Sequence, residues 1–136
     1  MPKMFVHAPT GTFSEQARAE VAAALTDLGI RCERLAHTDN IKKGVWVFFS
    51  EHSPDSVFSG GEAASKPLIA LVTYAIQGGL DDTNRTTFIG DATAILGQHA
   101  KTDQTPPLIY VVIQQTPEAD WGMYGKQVDL AAMRKV

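Results

Sequence analysis

The sequence predicts an α+β fold in which two tandem β-α-β units form one four-stranded sheet with both helices on one face. The first observation behind this is a repeat. Val45-Trp46-Val47-Phe48-Phe49 leads through Pro54 to Phe58-Ser59-Gly60-Gly61, and Ile109-Tyr110-Val111-Val112-Ile113 leads through Pro117 to Trp121-Gly122-Met123-Tyr124-Gly125. Each copy is an apolar β-rich run, a proline turn, then an aromatic and glycines, the signature of one structural unit used twice. The second observation is that the same pair of elements, a strand-like run and a helical run, precedes each copy. The units span residues 1–62 and 67–128, joined through Glu62–Lys66, and 136 residues suit a single domain.

Taken in order, Met4-Phe5-Val6-His7 is an apolar run that ends in a turn at Gly11. Thr12 with Glu15 three residues on is a capping-box pattern. Ala17, Val21, Ala24, Leu25 and Leu28 then recur at helical spacing, with Gly29 as the expected stop. In the second unit, Leu68–Tyr74 is the strand and Gly78-Gly79 the turn. Asp81 and Asp82 suit the positive end of a helix, which carries Phe88, Ala92, Ile95, Leu96 and His99 on one face before Pro106-Pro107. Right-handed crossovers make the strands within each unit parallel and put both helices on the same side. The opposite face of the sheet is too apolar to meet water, so the sequence also predicts association of several copies, sheet faces inward.

Composition narrows the function classes. With 44% hydrophobic and 20% charged residues the chain is an ordinary globule. A net charge of -3 with scattered basic residues gives no footprint for nucleic acid or an anionic membrane. The lone Cys32 can form no internal disulfide or cysteine zinc cluster. The four histidines lack ligand spacing, and no glycine pattern follows a strand as a phosphate loop would, so no metal and no cofactor is expected. Without a signal-like start or a spanning apolar run, the expected location is the cytoplasm.

Three features together resemble the tautomerase superfamily, which includes 4-oxalocrotonate tautomerase, malonate semialdehyde decarboxylase and macrophage migration inhibitory factor. Pro2 follows Met1 and opens the first strand; Phe58–Lys66 is similar to the end of the short 4-oxalocrotonate-type unit; and Ala119-Asp120-Trp121 resembles the decarboxylase branch. The resemblance covers nearly the whole chain. It implies a homotrimer built around a barrel of sheets, a small-molecule substrate, and catalysis by Pro2 once Met1 is removed. The freed ring nitrogen is a secondary amine that can move a proton between carbon and a base, the step of enol-keto tautomerisation. The resemblance also implies pocket roles for Trp121, as a wall near the proline, for Tyr110, and for Arg31, which falls near a pocket lysine of the migration inhibitory factor branch. Read without the family, Pro2 is equally a strand opener, Tyr110 and Trp121 packing residues, and Arg31 a solvated charge.

The chain departs from the family pattern where arginines are expected. Thr12 follows the first turn, Trp46 stands on the second strand, and Gln77-Gly78-Gly79 forms the second turn. A tautomerase of a small oxo-acid or aryl pyruvate is the leading expectation. A hydratase, dehalogenase or decarboxylase of the same superfamily, or a trimeric binding module without turnover, are the alternatives.

Overall fold

The computed structural model describes residues 1–135. Strand β1 (Lys3–Pro9) leads through a turn into helix α1 (Glu15–Cys32), a short helix α2 (Asp39–Lys43) and strand β2 (Trp46–His52). A 3-10 turn and a small hairpin, β3 (Phe58–Ser59) with β4 (Glu62–Ala63), end the first unit. Strand β5 (Leu68–Ile76), helix α3 (Asp82–His99) and strand β6 (Leu108–Thr116) repeat the arrangement, followed by a second hairpin, β7 (Gly122–Met123) with β8 (Lys126–Gln127), and a final turn of helix, α4 (Leu130–Met133).

The sheet order is β2-β1-β5-β6. β1 pairs with β2, and β5 with β6, in parallel, because each crossover returns through a helix; the two units meet antiparallel at β1 and β5, with Lys3 opposite Tyr74 and His7 opposite Ala70. Alternation sorts the side chains. Met4, Val6 and Ala8 of β1 and Ile69, Leu71, Thr73 and Ala75 of β5 are buried beneath the helices, whose Val21, Leu25, Phe88, Ala92 and Leu96 complete the core. The other face presents Phe5, Phe48, Tyr74, Tyr110 and Val112. Phe5 stacks on Phe48 at 5.2 Å and meets Tyr74 edge-on at 5.8 Å, while Tyr110 is 80% exposed.

Two local expectations are revised. The first helix is capped by Ser14, whose hydroxyl accepts from Ala17 N at 3.1 Å; the Thr12 hydroxyl instead donates to the Pro9 carbonyl at 2.7 Å and closes the preceding turn. Gly29 does not stop the helix, which continues to Cys32. Its lack of a side chain serves packing: a Cβ there would stand 2.8 Å from Pro2 Cγ, so only glycine lets the proline ring lie against α1. Thr38 caps the short α2, its Oγ1 accepting from Ile41 N at 3.3 Å.

Candidate functional site

The N-terminal end of β1 is sunk in the protein. Met1 and Pro2 are both buried, held between the last turns of α1, the α2–β2 connection and the C-terminal segment. The reason is visible along α1, where Ala17, Val21, Leu25, Gly29 and Glu33 follow one another at intervals of four and are all buried. That spacing traces a single ridge of the helix. Its first three members pack into the core, the fourth receives Pro2, and the fifth places a carboxyl in the wall beside the chain terminus.

Glu33 is 1% exposed. Oε2 lies 3.9 Å from the Met1 amine, and neither carboxyl oxygen has a hydrogen-bond partner among the described residues. The Gly79 backbone approaches closely enough that a Cβ there would sit 3.4 Å from the carboxyl carbon. Burial pushes the Glu33 carboxyl up to about 7; the nearby amine, Arg134 and Lys3 pull it back only in part. The same desolvation lowers the Met1 amine, against the opposing pull of Glu33.

Two cations stand close. Strand alternation directs Lys3 to the open face of the sheet, away from Pro2, but its long side chain curls back. Its ammonium lies 4.8 Å from the centre of the Trp46 ring and donates to the Gly44 carbonyl, with the Met1 carbonyl 3.5 Å away. Burial lowers its pKa. Arg134, just after α4, donates from Nε to the Glu33 carbonyl at 3.2 Å and from its guanidinium to the Gly79 carbonyl at 3.1 Å. With Ala36 N donating to the Met133 carbonyl at 3.3 Å, these bonds fasten the C-terminal segment across the terminus.

The remaining sequence-derived residues fall in different places. Trp121 is 8% exposed and belongs to the apolar cluster that also holds Met1, Leu130 and Met133. Arg31 does not join the N-terminal cluster. It stands two residues before Glu33, roughly 200° around the helix, and pairs in solvent with Asp91 of α3 at 3.6 Å. Tyr110 lies in the Ala70–His7 row of the sheet, four residues along from the Lys3–Tyr74–Gln114 row. That is about 13 Å along the strands. Within one protomer it cannot share a pocket with Pro2. It lines instead a groove of about 620 Å³ on the open face, with His7, His52, Phe58, Leu68 and Leu108. There His7 Nδ1 and His52 Nε2 approach to 3.1 Å. Cys32 is buried, and desolvation raises its thiol pKa, the opposite of what a thiolate nucleophile needs.

Glu33 and Arg134 escaped the sequence reading. Glu33 sits between Arg31 and Arg34 in a stretch that reads as surface charge. Its signal was the four-residue interval from Val21 and Leu25, which places it on the apolar stripe.

Tandem β-α-β units sharing one four-stranded sheet define a tautomerase-superfamily fold. Residues 1–129 match the family model described as "Putative oxalocrotonate tautomerase enzyme", and the chain belongs to that family. No curated protein matches the sequence. Among solved structures, the chain resembles a fused 4-OT wild type asymmetric trimer at 19% identity, with 92% of this chain and 94% of that chain covered and a TM-score of 0.74. It also resembles a member of the cis-3-chloroacrylic acid dehalogenase family (21% identity, 93% and 83% covered, TM-score 0.75). A third is the macrophage migration inhibitory factor of Oncomelania hupensis (17% identity, 99% and 88% covered, TM-score 0.68). These likenesses establish the fold. No described helix is long and apolar enough to cross a membrane.

Gly29→Ala tests the packing of Pro2. The added methyl forces the ring away from α1, since a rigid pyrrolidine cannot swing aside as a long side chain would. The expected result is a folded protein with its helix intact by circular dichroism and a loss of about 1–3 kcal/mol of stability in urea denaturation; unchanged stability would show that the seating of Pro2 is not tight.

Proposed function

We propose that the protein is a cofactor-independent enol-keto tautomerase, acting on a small enolisable carbonyl compound with Pro2 as its proton carrier. The observation that carries this reading is the enclosed chain terminus, with Pro2 seated on Gly29 and the preceding amine facing a buried carboxyl. Excision of Met1 turns the Pro2 nitrogen from an amide into a secondary amine. It also opens a methionine-sized cavity: Met1 is 8% exposed, and its sulfur occupies the space that a side chain at Gly44 would need. Substrate enters that volume. Burial lowers the pKa of the Met1 amine, and desolvation at the same place favours the neutral form of an amine left at Pro2. A neutral amine takes a proton from carbon beside a carbonyl, and its protonated form returns one.

The assembly in this reading is a homotrimer that buries the open sheet faces, and Tyr110 reaches a catalytic pocket only from an adjacent copy. Trp121 backs the pocket from within the protomer. Arg31, committed to Asp91, serves as a surface charge and not as the carboxylate ligand. The single buried cysteine fits a reducing, cytoplasmic location.

Intact-mass spectrometry with ketonisation assays on phenylenolpyruvate and 2-hydroxymuconate tests the proposal. We expect a mass lacking methionine, and at least a 100-fold fall in kcat/KM for Pro2→Ala, the range of a lost general base. A mature chain that keeps Met1, or activity indifferent to Pro2, sinks the enzyme reading and leaves a trimeric binding module.

A further inference from the structure

Resting on the Pro2 reading, we propose that Glu33 is the second proton carrier of the site, working on the substrate's oxygen while Pro2 works on its carbon, and that the substrate is therefore an enol with no carboxylate beside the reacting oxygen. The geometry is direct. The Glu33 carboxyl is 1% exposed, has no hydrogen-bond partner among the described residues, and borders the volume that Met1 vacates. Orphaned buried carboxyl oxygens are costly, and a ligand hydroxyl or carbonyl in that volume would satisfy them. Neither Arg31, paired with Asp91, nor Arg134, which donates to two backbone carbonyls, bonds the Glu33 carboxyl oxygens.

In ketonisation the Glu33 carboxylate accepts the enol O–H proton as the C=O π bond forms. The C=C electron pair takes a proton from the protonated Pro2 amine, so one C–H bond is made and one N–H bond broken. Glu33 then holds the former enol hydroxyl proton and Pro2 is one proton short; transfer of that proton from Glu33 to Pro2, directly or through water, restores both groups. Nothing is oxidised or reduced. In the enolising direction the protonated carboxyl donates to the carbonyl oxygen, as an apolar site permits when it keeps a carboxyl neutral near pH 7. Burial acts in this direction, and with Met1 in place pushes Glu33 up to about 7.

The same carboxyl sets specificity. A carboxylate adjacent to the enol oxygen would meet Glu33 in a desolvated cavity, where like charges repel strongly. Arg134 and Lys3, both already donating to backbone carbonyls, offer limited compensation. Phenylenolpyruvate and its methyl ester separate the cases, because they share the enol and differ in that charge.

The test measures kcat/KM against pH for both compounds with the processed wild type, Pro2→Ala, Glu33→Gln and Glu33→Asp. The expected result is at least a tenfold wild-type preference for the ester. Glu33→Gln should lose about 100-fold on the ester, the size of a lost general acid-base, together with its inflection near pH 7, and Glu33→Asp should regain part of both. Glu33→Gln with wild-type rates and pH profile on the ester, while Pro2→Ala is inactive, overturns the role of Glu33 and leaves Pro2 standing. Pro2→Ala as active as wild type overturns the underlying reading instead. Should Glu33→Gln fail to fold, the wild type still decides: a preference for the free acid refutes the proposed substrate class.

Discussion

Between about pH 4.5 and about pH 8 the protein should lose about 3 kcal/mol of stability relative to its Glu33→Gln variant. The folded-state pKa of Glu33 is raised from 4.5 to about 7, with burial as the largest cause. The folded protein therefore holds the proton through a range in which the unfolded chain has released it. Stability is complete below the unfolded value and falls as pH rises through the folded one, the reverse of a carboxylate held down by a salt bridge. The gap between 4.5 and about 7 corresponds to about 3 kcal/mol. Glutamine keeps the shape without the titration, so the two proteins should diverge as pH rises, wild type becoming the weaker. Urea denaturation at both pH values reads this directly. Parallel stabilities across the range would mean that Glu33 is solvated or paired in solution. The effect sets a stability cost at neutral pH beside the chain terminus, as expected where a group is kept for its chemistry.

Much of the architecture was legible because each half of the chain carries the same punctuation. Apolar β-rich runs, a helix at 3.6-residue spacing and glycine or proline turns recur in the same order, and the right-handed crossover rule leaves little choice of topology. Position-level meaning was harder to read. Gly29 looks like a helix stop in one dimension; only the proximity of Pro2, distant along the chain, shows it to be a packing site. Thr12 and Ser14 both satisfy the capping chemistry, and the choice falls to Ser14 because it immediately precedes the first helical residue, Glu15, and accepts from Ala17 N. The last helix escaped notice because four residues carry no periodicity, yet it places Met133 on the terminus and Arg134 against Glu33. Tyr110 illustrates a different limit. Alternation puts it on the open face, but whether that face supplies a catalytic pocket depends on another copy of the chain.

That dependence gives the second large effect. Phe48→Glu or Val112→Glu should convert an associating protein into a monomer by sedimentation velocity, while leaving the secondary structure unchanged. The two side chains stand on the outer strands of the sheet and are 48% and 50% exposed in the protomer, flanked by Phe5, Trp46, Tyr74 and Tyr110. An aromatic face of this extent is rare on a monomer and gains by burial against a like face. A carboxylate inside such an interface would be desolvated without a partner, a penalty of several kcal/mol, whereas in the protomer alone it faces water. Folding within the protomer is thus spared and association is not. The wild-type melting temperature should rise with protein concentration, and that of the variants should not. If Tyr110 serves a neighbour's pocket, the monomers also lose tautomerase activity at every concentration, because the row holding Tyr110 lies five residues of strand beyond Pro2 in one chain. A monomeric wild type would refute the trimer, and fully active monomers would confine the catalytic pocket to Pro2, Glu33 and their neighbours within a single protomer.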